Sequence, residues 1–166
     1  MHTKTLIIIR HAKSDWSTGE ADINRPLTDR GQRDSYAIGS ILAPYNIDLV
    51  WCSAATRTCQ TWDQAHEGGA NATEVDVRKS FYTIRADTLM TEMTLLDETV
   101  TTLALVNHQP TVGELVHILA QPSPLSRQAV DHFPTAGVAI LTFHTPWADL
   151  SWHKLTLDTF TKVRAD

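Results

Sequence analysis

Residues 5–9, Thr-Leu-Ile-Ile-Ile, make a short apolar run that stops abruptly at Arg10 and His11. A run that is brief, β-branched and free of polar alternation predicts a strand buried on both faces. Residues 14–27 have no period and a turn-like composition, which predicts a loop. Thr28 can cap a helix reaching about Ala43, with Tyr36, Ile38, Ile41 and Leu42 as its inner face, and Pro44 and Asn46 stop it. Leu49 to Cys52 predicts a second strand, and Ala55 to about Glu67 a helix ended by Gly68-Gly69. Glu74 to Val77 is a weaker third strand, and Ala86 to Leu96 is helical through Leu89, Met93 and Leu96. Thr102 to Asn107 is again an apolar strand, after which Pro110 opens a helix as an N1 proline and runs it to about Leu119. Val138 to Phe143 and Trp152 to Leu157 predict two late strands in a hairpin-like pair. Strands alternating with helices predict an α/β three-layer sandwich: a mostly parallel central sheet, helices on both faces, and no cap domain.

Length and charge narrow what such a sheet can do. The 166 residues suit one domain, 1–166, with a core of its own. Nineteen acidic against 14 basic residues give a net charge of -5, so no general basic face is expected and nucleic acid is not an expected partner. The longest aliphatic run, Leu6 to Ile9, is too short to span a membrane or to form a signal-peptide core, which predicts a cytoplasmic protein with no membrane association. Cys52 and Cys59 are too few to staple a chain of this size and read as reduced thiols.

The chemistry of an open α/β sheet gathers at the carboxyl ends of its strands. Arg10-His11 and Asn107-His108 lie at two such ends, and Arg57 follows a third at the start of a helix. Taken singly, each has a plainer reading: a polar strand terminus, a surface arginine, a turn-capping histidine. Their joint placement is the signal, because three separate strand ends deliver cationic or imidazole groups to one edge of one sheet. Guanidinium forks match phosphoryl oxygens bidentately. A neutral imidazole is a nucleophile able to form a covalent intermediate. Phosphoryl transfer needs mainly in-line positioning and charge stabilisation. In this reading Arg10 and Arg57 hold a phosphoryl group, His11 attacks it, and His108 donates to its oxygens.

These segments resemble a known family. Arg10-His11-Ala12 is similar to the Arg-His-Gly signature of the histidine phosphatase (phosphoglycerate mutase-like) superfamily. RHAKSDW, RPLTDRGQRD (residues 25–34), SAATRTCQT (residues 53–61) and HQPT, in that order, resemble its small SixA group of phosphohistidine phosphatases. The resemblance implies a catalytic set of His11, Arg10, Arg57 and His108, a phospho-His11 intermediate, and neither metal nor other cofactor. Ser17 matches a position where mutase-type members often carry a phosphate-binding Asn, and Lys13 and Trp16 flank it as further candidate substrate contacts. Lys13 either steers anions or is solvated; Trp16 either stacks on a substrate ring or pins its loop. Ala12 and Asn107 depart from the Gly common at those positions. No match to the mutase-type glutamic acid is found among Glu67, Glu74, Glu92 and Glu98, so Asp15, Glu20 and Asp22 stand as candidate acids, each with a solvated loop carboxylate as its plainer reading. Arg25 is expected to pair with a loop carboxylate such as Asp22. His2, His66, His117, His132, His144 and His153 show no metal-ligand spacing and read as structural or surface groups, while Trp147 and Trp152 are expected to pack.

The resemblance implies a partner that is a phosphorylated protein, such as a phosphorelay domain, or a small phosphorylated metabolite. An uncapped, open site suits the protein better. A non-catalytic phosphate-binding or scaffold protein is the rival of another class; retention of His11 argues against it, because a degenerate member would lose its nucleophile first.

Overall fold

A computed structural model of the chain describes residues 3–164. Strands β1 (Lys4–Arg10), β2 (Ile47–Ser53), β3 (Ala72–Arg78), β4 (Thr102–Asn107), β5 (Gly137–Phe143) and β6 (Thr156–Lys162) form one sheet in the order β3-β2-β4-β1-β5-β6. The pairings from β3 through β1 are parallel; β5 is antiparallel to both its neighbours, so it alone runs against the rest. Helices α1 (Asp29–Leu42) and α2 (Thr56–Glu67) cover one face, and α3 (Ala86–Met93), α4 (Thr111–Leu119) and α5 (Pro124–Asp131) the other.

The strands read as continuous apolar runs because both their faces are buried. Successive β1 side chains point to opposite sides: Leu6 and Ile8 join Leu103, Leu105, Leu115 and Phe133 in one core, while Ile7 and Ile9 join Ile38, Leu42, Val50 and Val106 in the other. Each such side chain contributes about 1.5–3 kcal/mol on burial. Both cores thus clamp β1, and β1 ends in the two residues of chemical interest. Its register with β4 sets Arg10 opposite Asn107, so His11 and His108, each one residue on, emerge side by side.

Several boundaries differ from expectation. In α1, Tyr36 points to solvent; Ser35, Ile38, Gly39 and Leu42 face inward and Ile41 is half-buried. The inner face here follows small residues because α1 and α2 approach closely: a Cβ on Gly68 would lie 2.0 Å from the Tyr36 carbonyl oxygen. Pro110 is the cap of α4 rather than its first helical residue, a shift of one position. The last strand begins at Thr156, not Trp152. Residues 153–155 bond instead to the end of α4, through His153 N–H to Ile118 O at 2.8 Å and Leu155 N–H to Leu119 O at 2.8 Å. Trp152 does not pack as expected but is 57% exposed. Helix α5 was not anticipated, although Ser123-Pro124 with Ser126 forms a reciprocal capping box that signals it. Among the described residues no helix is long and apolar enough to cross a membrane. Cys52 and Cys59 are free thiols. His2 lies outside the described residues.

The start of α1 is fastened directly to the loop after His11. Thr28 caps the helix, its Oγ1 accepting Gly31 N–H at 3.0 Å, while its own N–H donates to Lys13 O at 2.9 Å. Gly31 is required there, since a Cβ would fall 2.2 Å from the Lys13 oxygen. Gly31→Ala is therefore expected to destabilise the fold by about 1–3 kcal/mol, the usual scale of overpacking. Denaturant unfolding measures this, and an unchanged midpoint would show that the loop yields freely.

Candidate active site

His11 is held at three points. Its N–H donates to Asn107 O at 3.1 Å, its carbonyl accepts Ala136 N–H at 3.1 Å, and its ring Nδ1 lies 2.7 Å from Ala12 O. A carbonyl oxygen only accepts, so Nδ1 carries the ring proton and Nε2 keeps its lone pair. Burial, and then the neighbouring His108, Arg57 and Arg10, push the His11 pKa down to about 3, outweighing the opposing bond to Ala12. The ring is therefore neutral near pH 7. Ala12 N–H donates to Thr61 Oγ1 at 3.1 Å, tying this turn to α2.

His108 stands with its ring centroid 5.3 Å from that of His11. Asn107, where a Gly is commoner, supports this turn: its Oδ1 accepts His108 N–H at 2.8 Å and its Nδ2 donates to Phe81 O at 3.0 Å. Ser53 Oγ lies 2.8 Å from His108 Nε2. With the hydroxyl donating to Nε2, the ring proton sits on Nδ1. Burial first, then Arg57 and Arg10, lower the His108 pKa to about 4, against the opposing pull of Asp22.

Arg10 Nη1 donates to Phe133 O at 2.8 Å. Arg57, in the first turn of α2, gives Nη1 to Asp22 O at 2.7 Å and Nη2 to Asp22 Oδ2 at 3.1 Å. Among the described residues, the buried side-chain nitrogen and oxygen atoms that find no partner are Arg10 Nε, Arg57 Nε and His108 Nδ1. All three belong to this site. Buried polar groups are ordinarily satisfied, so three unpartnered donors near the neutral His11 ring make a candidate pocket for an oxyanion.

Asp22 organises the rim. Its carboxylate accepts from Arg25 at 3.1 Å, from Arg57 at 3.1 Å and from the Tyr82 hydroxyl. The Tyr82 bond, then Arg57 and Arg25, hold its pKa at about 2. Asp22 is thus a carboxylate near neutral pH and orients Arg57 instead of presenting a proton. The expected Arg25–Asp22 pair is present, and Arg25 also donates to Ser14 Oγ at 2.8 Å.

The other candidates are more dispersed. Ser17 is exposed and gives both its N–H and its hydroxyl to Asp15, at 2.8 and 2.6 Å. Those bonds lower the Asp15 pKa. Glu20 and Lys13 are exposed, Lys13 serving α1 through its carbonyl. Trp16 lies 3.5 Å under the Arg25 guanidinium, which favours the loop-pinning reading. Of the interval glutamates, Glu92 and Glu98 pair with Arg78 and Lys4, away from the site. Among the described residues no cluster of His, Cys, Asp or Glu could hold a metal ion. Sequence reasoning overlooked Ser53, Tyr82 and the Phe133 carbonyl. Only Ser53, inside the SAATRTCQT stretch, had a local signal.

The chain is similar to known proteins in sequence and in fold. The sequence profile of the histidine phosphatase superfamily (branch 1) matches residues 6–84. An uncharacterized protein of Mycobacterium tuberculosis is 36% identical over 148 residues, covering 86% of this chain and 91% of its own. Two solved structures, from Nakamurella multipartitia and Agrobacterium tumefaciens, carry the name "putative phosphohistidine phosphatase SixA". The first is 27% identical with a TM-score of 0.86, covering 98% of each chain. The second is 25% identical with a TM-score of 0.77, covering 96% of this chain and 98% of its own.

The depressed imidazole pKa values fix a pH response. In the unfolded chain both rings titrate near pH 6.5, but in the fold they do so at about 3 and about 4. Between these limits the unfolded state binds protons that the folded state refuses. Their contribution to stability is therefore complete above about pH 6.5 and declines as pH falls toward 4 and below. Proton NMR of the ligand-free protein should place the His11 and His108 midpoints below pH 5; midpoints near 6.5 would refute the buried, neutral assignment.

Proposed function

Since the chain belongs to the histidine phosphatase superfamily, we propose that it is a metal-independent phosphatase that works through phospho-His11 and takes phosphohistidine on a protein as its substrate. Membership supports phosphatase activity. The observation that carries the finer reading is the trio of orphaned donors, Arg10 Nε, Arg57 Nε and His108 Nδ1, around a His11 whose Nε2 lone pair is free. The two guanidiniums supply the positive charge that a metal ion would otherwise bring to the equatorial oxygens.

In the first step Nε2 of His11 attacks phosphorus. The new P–N bond forms as the bond to the leaving group breaks, and that group departs with the bonding pair. His11 keeps its Nδ1 proton, bonded to Ala12 O, so the phosphorylated ring is cationic beside the phosphoryl oxygens. In the second step water attacks phosphorus, the P–N bond returns its electrons to Nε2, and the proton lost by water ends on phosphate or solvent. Arg10, Arg57 and His108 donate throughout to the oxygens that carry charge in both transition states.

The leaving group decides the substrate class. Asp22, the carboxylate at the rim, is held ionised with a pKa of about 2, so it offers little general-acid help. An alkoxide, derived from an alcohol about as weakly acidic as water, pKa ~15.7, leaves poorly without a proton. A phosphohistidine protonated on its second ring nitrogen expels neutral imidazole, and with an imidazole pKa of about 6.5 that form is accessible near neutral pH.

His11→Ala should abolish turnover while the protein stays folded, and rapid quench of the wild-type enzyme with labelled substrate should trap an acid-labile, base-stable phosphoenzyme. Substantial residual turnover in the variant would remove His11 from the mechanism. Under one set of conditions, kcat/KM should rank a phosphohistidine peptide and an aryl phosphate above an alkyl phosphate by at least ~100-fold, the scale of a missing acid catalyst. An alkyl phosphate that matches the phosphohistidine would shift the assignment to a small phosphorylated metabolite.

A further inference from the structure

A cleft of about 640 Å³ begins at His108 and continues beyond the phosphoryl pocket. One wall is α4, which presents Thr111, Glu114 and Ile118 at helical spacing along a single face. The opposite wall is the segment from Tyr82 to Asp87. The two ends are fixed by backbone bonds. Val112 N–H donates to His108 O at 3.0 Å at the start of the helix, and His153 N–H donates to Ile118 O at 2.8 Å at its end. Trp152 therefore closes the far end of the cleft, beside Ile118. Its placement is built into the fold: His153, the next residue, is held at φ +61°, a left-handed conformation that a side chain other than glycine adopts at a cost. The indole beside it is 57% exposed.

Resting on the protein-phosphohistidine reading above, we infer that this cleft is the docking groove for the polypeptide that flanks the phosphorylated histidine, with an apolar side chain of that polypeptide seated on Trp152 and Ile118. Three observations select this occupant. The groove is continuous with the reacting centre, since His108 belongs to both. It runs the length of α4, nine residues or about 13 Å, which accommodates about four residues of extended chain but exceeds what a small leaving group fills. Its charge is wrong for a second anionic group: the lining holds one guanidinium, Arg85, already paired to Asp87 at 3.1 Å, against the two carboxylates of Asp87 and Glu114. A neutral or basic segment with one apolar anchor fits that lining; a metabolite bearing further phosphates or carboxylates does not.

The test uses free phosphohistidine and chemically phosphorylated peptides in which the phosphohistidine carries zero, two, four or six flanking residues ending in leucine. For the wild-type protein kcat/KM should rise with length by about tenfold, equivalent to about 1.4 kcal/mol, and level off near four residues. Trp152→Ala should erase most of that rise through KM, while Trp152→Phe restores it. The loss on the four-residue peptide should exceed the loss on free phosphohistidine by about the same factor. Rates independent of length, or equal losses on both substrates in Trp152→Ala, would overturn the groove while leaving the phosphohistidine reading intact. Turnover of an aryl phosphate with no hydrolysis of any phosphohistidine would refute the substrate reading, and the groove assignment with it.

Discussion

Two guanidiniums and two imidazoles share a largely buried pocket, and like charges removed from water repel strongly. The site persists because each group is managed differently. The imidazoles stay neutral, burial holding their pKa values at about 3 and about 4. Arg10 is anchored on the Phe133 carbonyl, and Arg57 has its two terminal nitrogens on Asp22. Among the described residues the buried side-chain donors left without a partner are Arg10 Nε, Arg57 Nε and His108 Nδ1. Unpartnered donors of this kind match the charge-assisted hydrogen bonds that the proposed phosphoryl substrate would accept.

Asp22 links this electrostatic balance to the loop that precedes α1. The same carboxylate that fixes Arg57 receives Arg25 and Tyr82. Arg25 in turn reaches Ser14 and lies on Trp16. A segment whose regular structure amounts to one 3₁₀ turn, Asp22–Asn24, and a single bridge is in this way tied into the pocket by charged bonds at several points. Loops that position functional groups are commonly held by the scaffold beneath them, and here Gly31 allows the start of α1 to rest on Lys13 and complete the anchorage.

Topology supplies the remaining piece. In a fully parallel sheet only the carboxyl ends of strands reach the active edge. Because β5 runs in the opposite sense to β1, the segment entering β5 arrives at that edge too. It brings the Phe133 carbonyl to Arg10 and the Ala136 N–H to the His11 carbonyl. One reversed strand therefore fixes both residues of the first motif from the side that the parallel strands cannot reach.

Much of this could be read along the chain. The unbroken apolar strands, the helix cap at Thr28 and the strand-end positions of Arg10, His11, Arg57 and His108 are local patterns, and local patterns survive folding when both faces of a sheet are buried. The pairing of Arg25 with Asp22, three residues apart, was legible for the same reason. Partners far apart in sequence were not. Ser53 under His108, Tyr82 on Asp22 and Phe133 on Arg10 are joined by β-sheet register and strand direction, for which no short stretch of sequence carries a signal. The role of Asp22 shows the same division. The sequence offered a loop carboxylate able to serve as an acid, and only the convergence of three donors from separate elements decided that it stays ionised and holds an arginine. Trp152 marks the limit from the other direction: apolar spacing placed it in a strand, but backbone bonds from its neighbours to the end of α4 outcompeted the sheet and left the indole exposed at the mouth of a cleft.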